Sequence, residues 1–276
     1  MLSEFTLDML HIPSGWQRGE GDWTGVAAAI ARGETVEVIQ EVGSTLWQNS
    51  LPEKHSLYWE GENLSTIKAR IWISFTHRKF SPESALPKVQ WHPRVLWIGI
   101  GCERGTHKEL IETAIKQVCR AYHLAESAIA GIATIDTKSG EVGLLELCQE
   151  RNWPLKTFAA DILSSVEVPN PSNIAVKEVG TPSVAEAAAL CAIELISSTM
   201  LDNRQDACST ILNNRQDACE AKSESACVVG IQPARERLLV PKKIFRAKNP
   251  PLLQGGVRAG SAVTVAVAVC PIEYLE

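Results

Sequence analysis

A chain of 276 residues, 45% of them hydrophobic, can bury one large core or two small ones. Its net charge of −5, with acids and bases mixed along the chain, leaves no basic stripe, so nucleic acid is excluded as the expected partner. No apolar run reaches the length of a membrane span, and Met1-Leu2-Ser3-Glu4-Phe5 lacks the basic start and apolar stretch of a signal peptide, so the expectation is a cytoplasmic protein without a membrane partner.

Residues 1–14 show no pattern and are expected to be irregular. A small α/β unit then runs over 15–90. It opens with the polar turn Gly19-Glu20-Gly21-Asp22-Trp23-Thr24, in which Asp22 or Thr24 is the N-cap. A helix over 26–32 follows, stopped by Gly33. Residues 35–40 alternate as a strand does, and 69–74 form a second strand. The segment 88–94 is expected to be a hinge into the main domain.

The main domain, 92–272, alternates strand and helix. A strand over 95–99 leads to a helix over 107–122. On that helix Leu110, Ala114, Val118 and Tyr122, with Ile111, Ile115 and Cys119, form one apolar stripe. A strand over 129–135, a helix over 142–151 and a strand over 155–159 come next. Asp161 is read as the cap of a short helix, and Ser172 starts another that Gly180 closes. An alanine-rich helix runs to about residue 197. The unbroken β-branched run at 263–269 predicts a strand buried on both faces. The expected fold class is α/β: a three-layer α/β/α sandwich as C-terminal domain, with the small α/β unit in front of it.

Residues 198–236 break this order. Asn203-Arg204-Gln205-Asp206-Ala207-Cys208 recurs as Asn214-Arg215-Gln216-Asp217-Ala218-Cys219 in polar surroundings, and the segment reads as a disordered surface insertion. Residues 249–260, rich in proline and glycine, read as a second loop expansion. None of the eight cysteines forms a CxxC pair and the six histidines are scattered, so no metal site is expected. Cys119, Cys148, Cys191 and Cys270 sit in apolar contexts, as small buried hydrophobes do.

The segment from Val95 to Thr106 carries the most chemistry. An apolar run feeds Gly99, Gly101, Cys102, Arg104, Gly105 and Thr106, and Thr106 with Glu109 has the spacing of a capping box. Strand, glycine loop and helix start in that order make an anion cradle, because free N–H groups of a first helical turn point at the ligand. Arg104 either grips a carboxylate or stays solvated. A second helix start at Gly180, Thr181 and Ser183, with Glu186 completing another capping box, forms a second cradle or is plain capping. Asp136 ends a predicted parallel strand, where open α/β sheets bind ligands, and Lys138 and Glu141 follow it. A carboxylate pair with a lysine can poise one member as a base, so Asp136, Glu141 and Lys138 are the catalytic candidates. Cys102 lies near a helix start but has no histidine set beside it by sequence. It is read more readily as a small residue in a tight loop than as a nucleophile.

Three further segments stand in order behind that loop: 133–145, Val168-Pro169-Asn170-Pro171-Ser172, and 179–190. With 238–243 and 263–268 they resemble the C-terminal domain of the CbiG/CobE family of cobalamin biosynthesis. The stretch from Gly15 to about Pro87 resembles the central segment of CbiG. The resemblance implies a hydrolase, cobalt-precorrin-5A hydrolase, acting on a carbon–carbon bond. Its substrate is a cobalt-corrinoid macrocycle bearing acetate and propionate groups. The δ-lactone between the ring A acetate and C20 is opened and a two-carbon fragment leaves as acetaldehyde. No cofactor is implied, since the substrate carries the cobalt. CbiG also has an N-terminal domain that precedes its central segment, whereas this sequence starts near that segment. A separate CbiG N-terminal domain, or other B12-pathway enzymes, are therefore the expected protein partners. A corrinoid-holding module without chemistry is the alternative. A dinucleotide-binding oxidoreductase is a third reading, since Gly99-x-Gly101-x-x-x-Gly105 approaches a Rossmann fingerprint with one residue too many.

Overall fold

Asp22 begins the ordered architecture: its side chain accepts from the Gly25 N–H at 2.8 Å and starts helix α1, Trp23–Ala31. The structure is a computed structural model, and it describes residues 12–13, 15–59, 66–81, 85–195, 237–247 and 262–272. The expected irregular N-terminus therefore lies almost wholly outside the described residues. The two insertions, 198–236 and 249–260, lie outside them entirely.

The first unit is a five-stranded sheet built from β1 (Gln17–Gly21), β2 (Val36–Gln40), β3 (Leu57–Trp59), β4 (Ala69–Ile73) and β5 (Lys88–His92), in the order β1-β5-β4-β2-β3. Strands β2 to β5 are mutually parallel, and β1 is antiparallel to β5. Val26 and Ile30 of α1 share a core with Val36, Val38, Ile71, Ile73, Val89 and Trp91. The expected hinge over 88–94 is corrected here. That segment is the buried strand β5, with Ile73 opposite Trp91. Beyond it, Arg94 donates to the carbonyls of Ile129, Ala130 and Asn152 at 3.0–3.2 Å and ties the junction to the second unit. The segment lies between the two units in sequence and carries polar residues, which do not announce a strand. Burial of Gln90 and His92 decided otherwise.

The second unit contains β6 (Leu96–Cys102), α2 (Lys108–Ala121), β7 (Ile129–Ile135), α3 (Val142–Arg151), β8 (Leu155–Phe158), α4 (Ala160–Ser165), α5 (Asn173–Val179), a helix α6 over 184–195, β9 (Leu238–Arg246) and β10 (Ala262–Val269). Its sheet runs β8-β7-β6-β10-β9. β6, β7 and β8 are parallel, while β10 is antiparallel to both its neighbours. Consecutive residues of β6 enter different cores. Ile98 packs with Ile111, Ile115, Leu144 and Leu147 on one side, and Trp97 packs with Leu163, Leu190 and Ile193 on the other. A sheet buried on both faces between helices is the three-layer α/β/α sandwich that the alternating pattern predicts.

Strand β6 is longer than expected, and this moves Gly99 and Gly101 out of the loop. Gly99 pairs with Ala266 and Gly101 with Thr264 of β10. A Cβ at Gly99 would overlap the carbonyl oxygen of Ala185, so the glycine admits α6 against the sheet rather than a ligand against the backbone. Neither capping box forms as such. His107 is the N-cap residue of α2 without a side-chain bond, and the Thr106 hydroxyl donates instead to the Glu103 carbonyl at 2.7 Å. Asp161 lies inside the first turn of α4, whose N-cap is Ala159. Ser172 does cap α5, accepting from the Ala175 N–H, and Gly180 closes that helix at φ +73°.

The two units join through backbone. The His77 N–H donates to the His123 carbonyl at 2.7 Å and the Ala125 N–H to the Phe75 carbonyl at 2.8 Å, around a bridge between Thr76 and Leu124.

Candidate functional site

The carboxyl ends of β6 and β7 lie side by side, because the two strands are parallel neighbours. This edge collects most of the residues singled out from the sequence. After β6 come Glu103–His107, and after β7 a 3-10 turn over Asp136–Lys138. Gly101 stands next to Val184, the first residue of α6, which brings the turn over 180–183 to the same edge.

Glu141 fills part of the anion cradle from within. Its carboxylate accepts from the Gly105 N–H at 2.9 Å and from Lys138 Nζ at 2.9 Å. Burial alone would raise its pKa. The bonds from Lys138 and Gly105, with the charge of Arg104, outweigh that and hold the carboxyl below the ordinary glutamate range. Glu141 is thus the internal anion of this loop and is kept charged. Asp136 is exposed, and its side chain makes no hydrogen bond among the described residues. Arg104 is likewise exposed and enters no ion pair among the described residues. Cys102 is half-buried, and burial, opposed by Lys138 but aided by Glu141 and Glu103, pushes its thiol up to about 11. A thiol so placed is protonated at neutral pH and is no nucleophile.

Thr181 and Ser183 are buried, at 0% and 2% exposure, and neither hydroxyl has a hydrogen-bond partner among the described residues. Buried hydroxyls without partners are uncommon and mark places where a ligand or water completes the bonding. They stand at the N-terminus of α6, where N–H groups also await acceptors.

Sequence reasoning gave Glu186 to a capping box and assigned no role to Asn170 or Lys242. The structure joins all three. Buried Glu186 accepts from Asn170 Nδ2 at 2.8 Å, from the Asn170 N–H at 3.3 Å and from the Lys242 N–H at 2.9 Å, while Lys242 Nζ donates to the Asn170 carbonyl at 2.7 Å. The available signal was the recurrence of all three in separate motif segments. Their meeting depends on β9 lying outside β10, which local sequence does not announce.

Comparison with known proteins follows the same division into two units. The family model described as "Cobalamin biosynthesis central region" matches residues 5–93, and that described as "Cobalamin synthesis G C-terminus" matches residues 96–268. The chain belongs to the CbiG family. Both the sheet edge and the Asn170–Glu186–Lys242 network lie in the CbiG C-terminal region. The chain is 29% identical over 181 residues to a protein of Priestia megaterium named cobalt-precorrin-5A hydrolase, covering 63% of this chain and 48% of that protein. It is 33% identical over 129 residues to a protein of the same name from Salmonella typhimurium, covering 46% and 36% respectively. It thus spans about half the length or less of the curated CbiG relatives it matches. Among solved structures, CobE, described as a protein from the cobalamin (vitamin B12) biosynthetic pathway, is similar at 21% identity and a TM-score of 0.40, over 65% of this chain and 93% of that one. No described helix is long and apolar enough to cross a membrane.

Proposed function

We propose that this chain serves cobalamin biosynthesis by opening the δ-lactone of cobalt-precorrin-5A, or forms the central and C-terminal part of the enzyme that does so. The observation that carries this reading is the tandem match of the CbiG central and C-terminal regions over 5–93 and 96–268. The meeting of Arg104, Asp136 and Lys138 with the N-terminus of α6 supports the sheet edge as the place of reaction, since cations and free helix N–H groups there suit a ring carboxylate.

In this reading Asp136 is the general base that takes a proton from the attacking water. The water oxygen bonds to the lactone carbonyl carbon, the acyl carbon–oxygen bond breaks, and the ring A acetate is freed as a carboxylate while the other oxygen stays on C20 as a hydroxyl. That hydroxyl then loses its proton and becomes the acetaldehyde carbonyl as the bond from C20 to the macrocycle breaks, with the electron pair passing into the conjugated ring and the methyl group leaving on C20. Lys138 and Arg104 supply positive charge for the new carboxylate, and Glu141 orders the loop that carries Arg104 and Gly105. The loop segment from Cys102 to Thr106, continuing from Gly99 and Gly101, and the turn from Gly180 to Ser183 form the two walls. The cobalt comes with the substrate and no further cofactor takes part.

The test is acetaldehyde release from cobalt-precorrin-5A, by the chain alone and mixed with the N-terminal portion of a full-length relative. Release in either arm supports the reading. A spectral change on mixing with no acetaldehyde in both arms would replace it with that of a corrinoid-holding module.

A further inference from the structure

A second feature lies at the far end of α2. The helix begins beside the sheet edge at Lys108 and spans 14 residues, so its other end is about 20 Å away at 1.5 Å per residue. There a cleft of about 1250 Å³ opens between the two units. One wall is β1 with His77, Lys79 and His92; the other is α2 from Thr113 to Arg120 with residues 123–127.

The lining is cationic in a chain whose overall charge is −5. Arg18, Lys79, Lys116 and Arg120 face two carboxylates, Glu20 and Glu126. Some of this charge is already engaged. Lys116 pairs with Glu112 at 2.9 Å, His77 lies 3.5 Å from Glu20, and the Arg18 guanidinium stacks over Trp23 and Trp91 at 4.9 and 5.4 Å. Lys79 and Arg120 are exposed and enter no ion pair among the described residues. His77, His92 and His123 also line the cleft, which is half of the chain's six histidines. His92 is fixed by a 2.8 Å bond between Nδ1 and the Ser74 carbonyl.

We propose that this cleft binds a large polycarboxylate, held at its rim by Arg18, Lys79, Lys116 and Arg120. The volume exceeds the roughly 300–1,000 Å³ that drug-sized ligands occupy, so a small acid would leave most of it filled with water. The four cations stand on β1, on the segment after β4 and on α2. Charges spread over three elements match anionic groups spread around a wide molecule, whereas one compact phosphate is met by converging donors. The rings of His77 and His123 give such a molecule flat surface between its charged groups, while His92 lies buried beneath. The inference goes beyond the reaction placed at the sheet edge. It stands on the cleft alone, and a molecule held here does not reach Asp136.

The probe is the octacarboxylate porphyrin uroporphyrin I, titrated into the whole chain and followed by its visible absorbance and by tryptophan quenching. Two double variants are compared: K79E/R120E in the cleft and K54E/K68E at exposed lysines outside both the cleft and the sheet edge. K79R/R120K keeps the cleft charge, and thermal melts confirm that each variant is folded. The expected result is binding weakened about tenfold or more by K79E/R120E, restored in K79R/R120K, and unchanged within about twofold in K54E/K68E. Absence of binding to the wild type overturns the proposal, as does equal weakening by both double variants, or weakening by K54E/K68E alone. Acetaldehyde release is a separate readout, so failure of the cleft and failure of the proposed reaction are told apart.

Discussion

Glu141 accepts the Gly105 N–H at 2.9 Å, so a loop with the sequence of an anion cradle already holds an anion of its own. The same carboxylate takes Lys138, which joins the segments after β6 and β7 into one unit. Replacing Glu141 by glutamine removes a charge-assisted pair and weakens the bond to Gly105, and should cost about 1–3 kcal/mol in denaturant unfolding. The pH dependence follows from the lowered pKa. The stabilisation is complete above the ordinary value of 4.5 and disappears as pH falls through the lower folded value. The gap between wild type and Glu141→Gln should therefore close in acid unfolding series and stay constant from pH 6 to 8.

Asp136 and Glu141 should separate in kinetics. Asp136→Asn is expected to lower acetaldehyde release by about 10²–10⁴-fold, the range for loss of a general base, with the melting temperature unchanged. Glu141→Gln should lower both stability and activity, and the activity loss should be the smaller of the two variants'. A wild-type rate for Asp136→Asn would remove that residue from the mechanism.

Glu186 is fully buried and satisfies three donors, on Asn170 and Lys242. Glu186→Ala leaves those donors without an acceptor and should cost about 3 kcal/mol or more, because each orphaned buried polar group carries its full desolvation penalty. Amide exchange at Asn170 and Lys242 should accelerate in the variant by far more than at Ile132, in the middle of the sheet.

Gly99→Ala should be among the most damaging single-methyl additions in the chain. The new Cβ meets backbone at Ala185, which cannot rotate away, so α6 must lift from β6. A loss of about 3 kcal/mol or more in unfolding, or expression only as insoluble protein, is the expected outcome.

Cys102 should be inert. With its thiol pushed up to about 11, roughly a thousandth is thiolate at pH 8. Alkylation by iodoacetamide at that pH should be slow on the hour scale, and Cys102→Ser should keep acetaldehyde release within about threefold of wild type.

Much of the architecture was legible because it follows from local periodicity. The apolar stripe of α2, the buried runs of β7 and β10, and the span of α3 each state their structure within a dozen residues. Strands β1, β3, β5 and β9 were not legible. They are short, or they carry polar residues such as Gln90, His92 and Lys242, whose burial or bonding is settled only by neighbours far along the chain. The segment from Gly99 to Thr106 shows the same limit within the candidate site. Its glycines read alike in sequence, but Gly99 serves helix packing, Gly101 pairs in the sheet and Gly105 donates to Glu141.

By itself the sequence determined the α/β class, the order of helices and strands in the second unit apart from β9, and the chain's family, since each rests on short-range pattern or ordered motifs. Only the tertiary structure decided that Glu141 turns inward on Gly105, that Asn170, Glu186 and Lys242 meet, and that Arg18, Lys79 and Arg120 share a cleft between two units. The reason is physical. Periodicity is written into the backbone's own geometry, whereas which charged groups become neighbours depends on how strands are ordered across a sheet and how one unit docks on another.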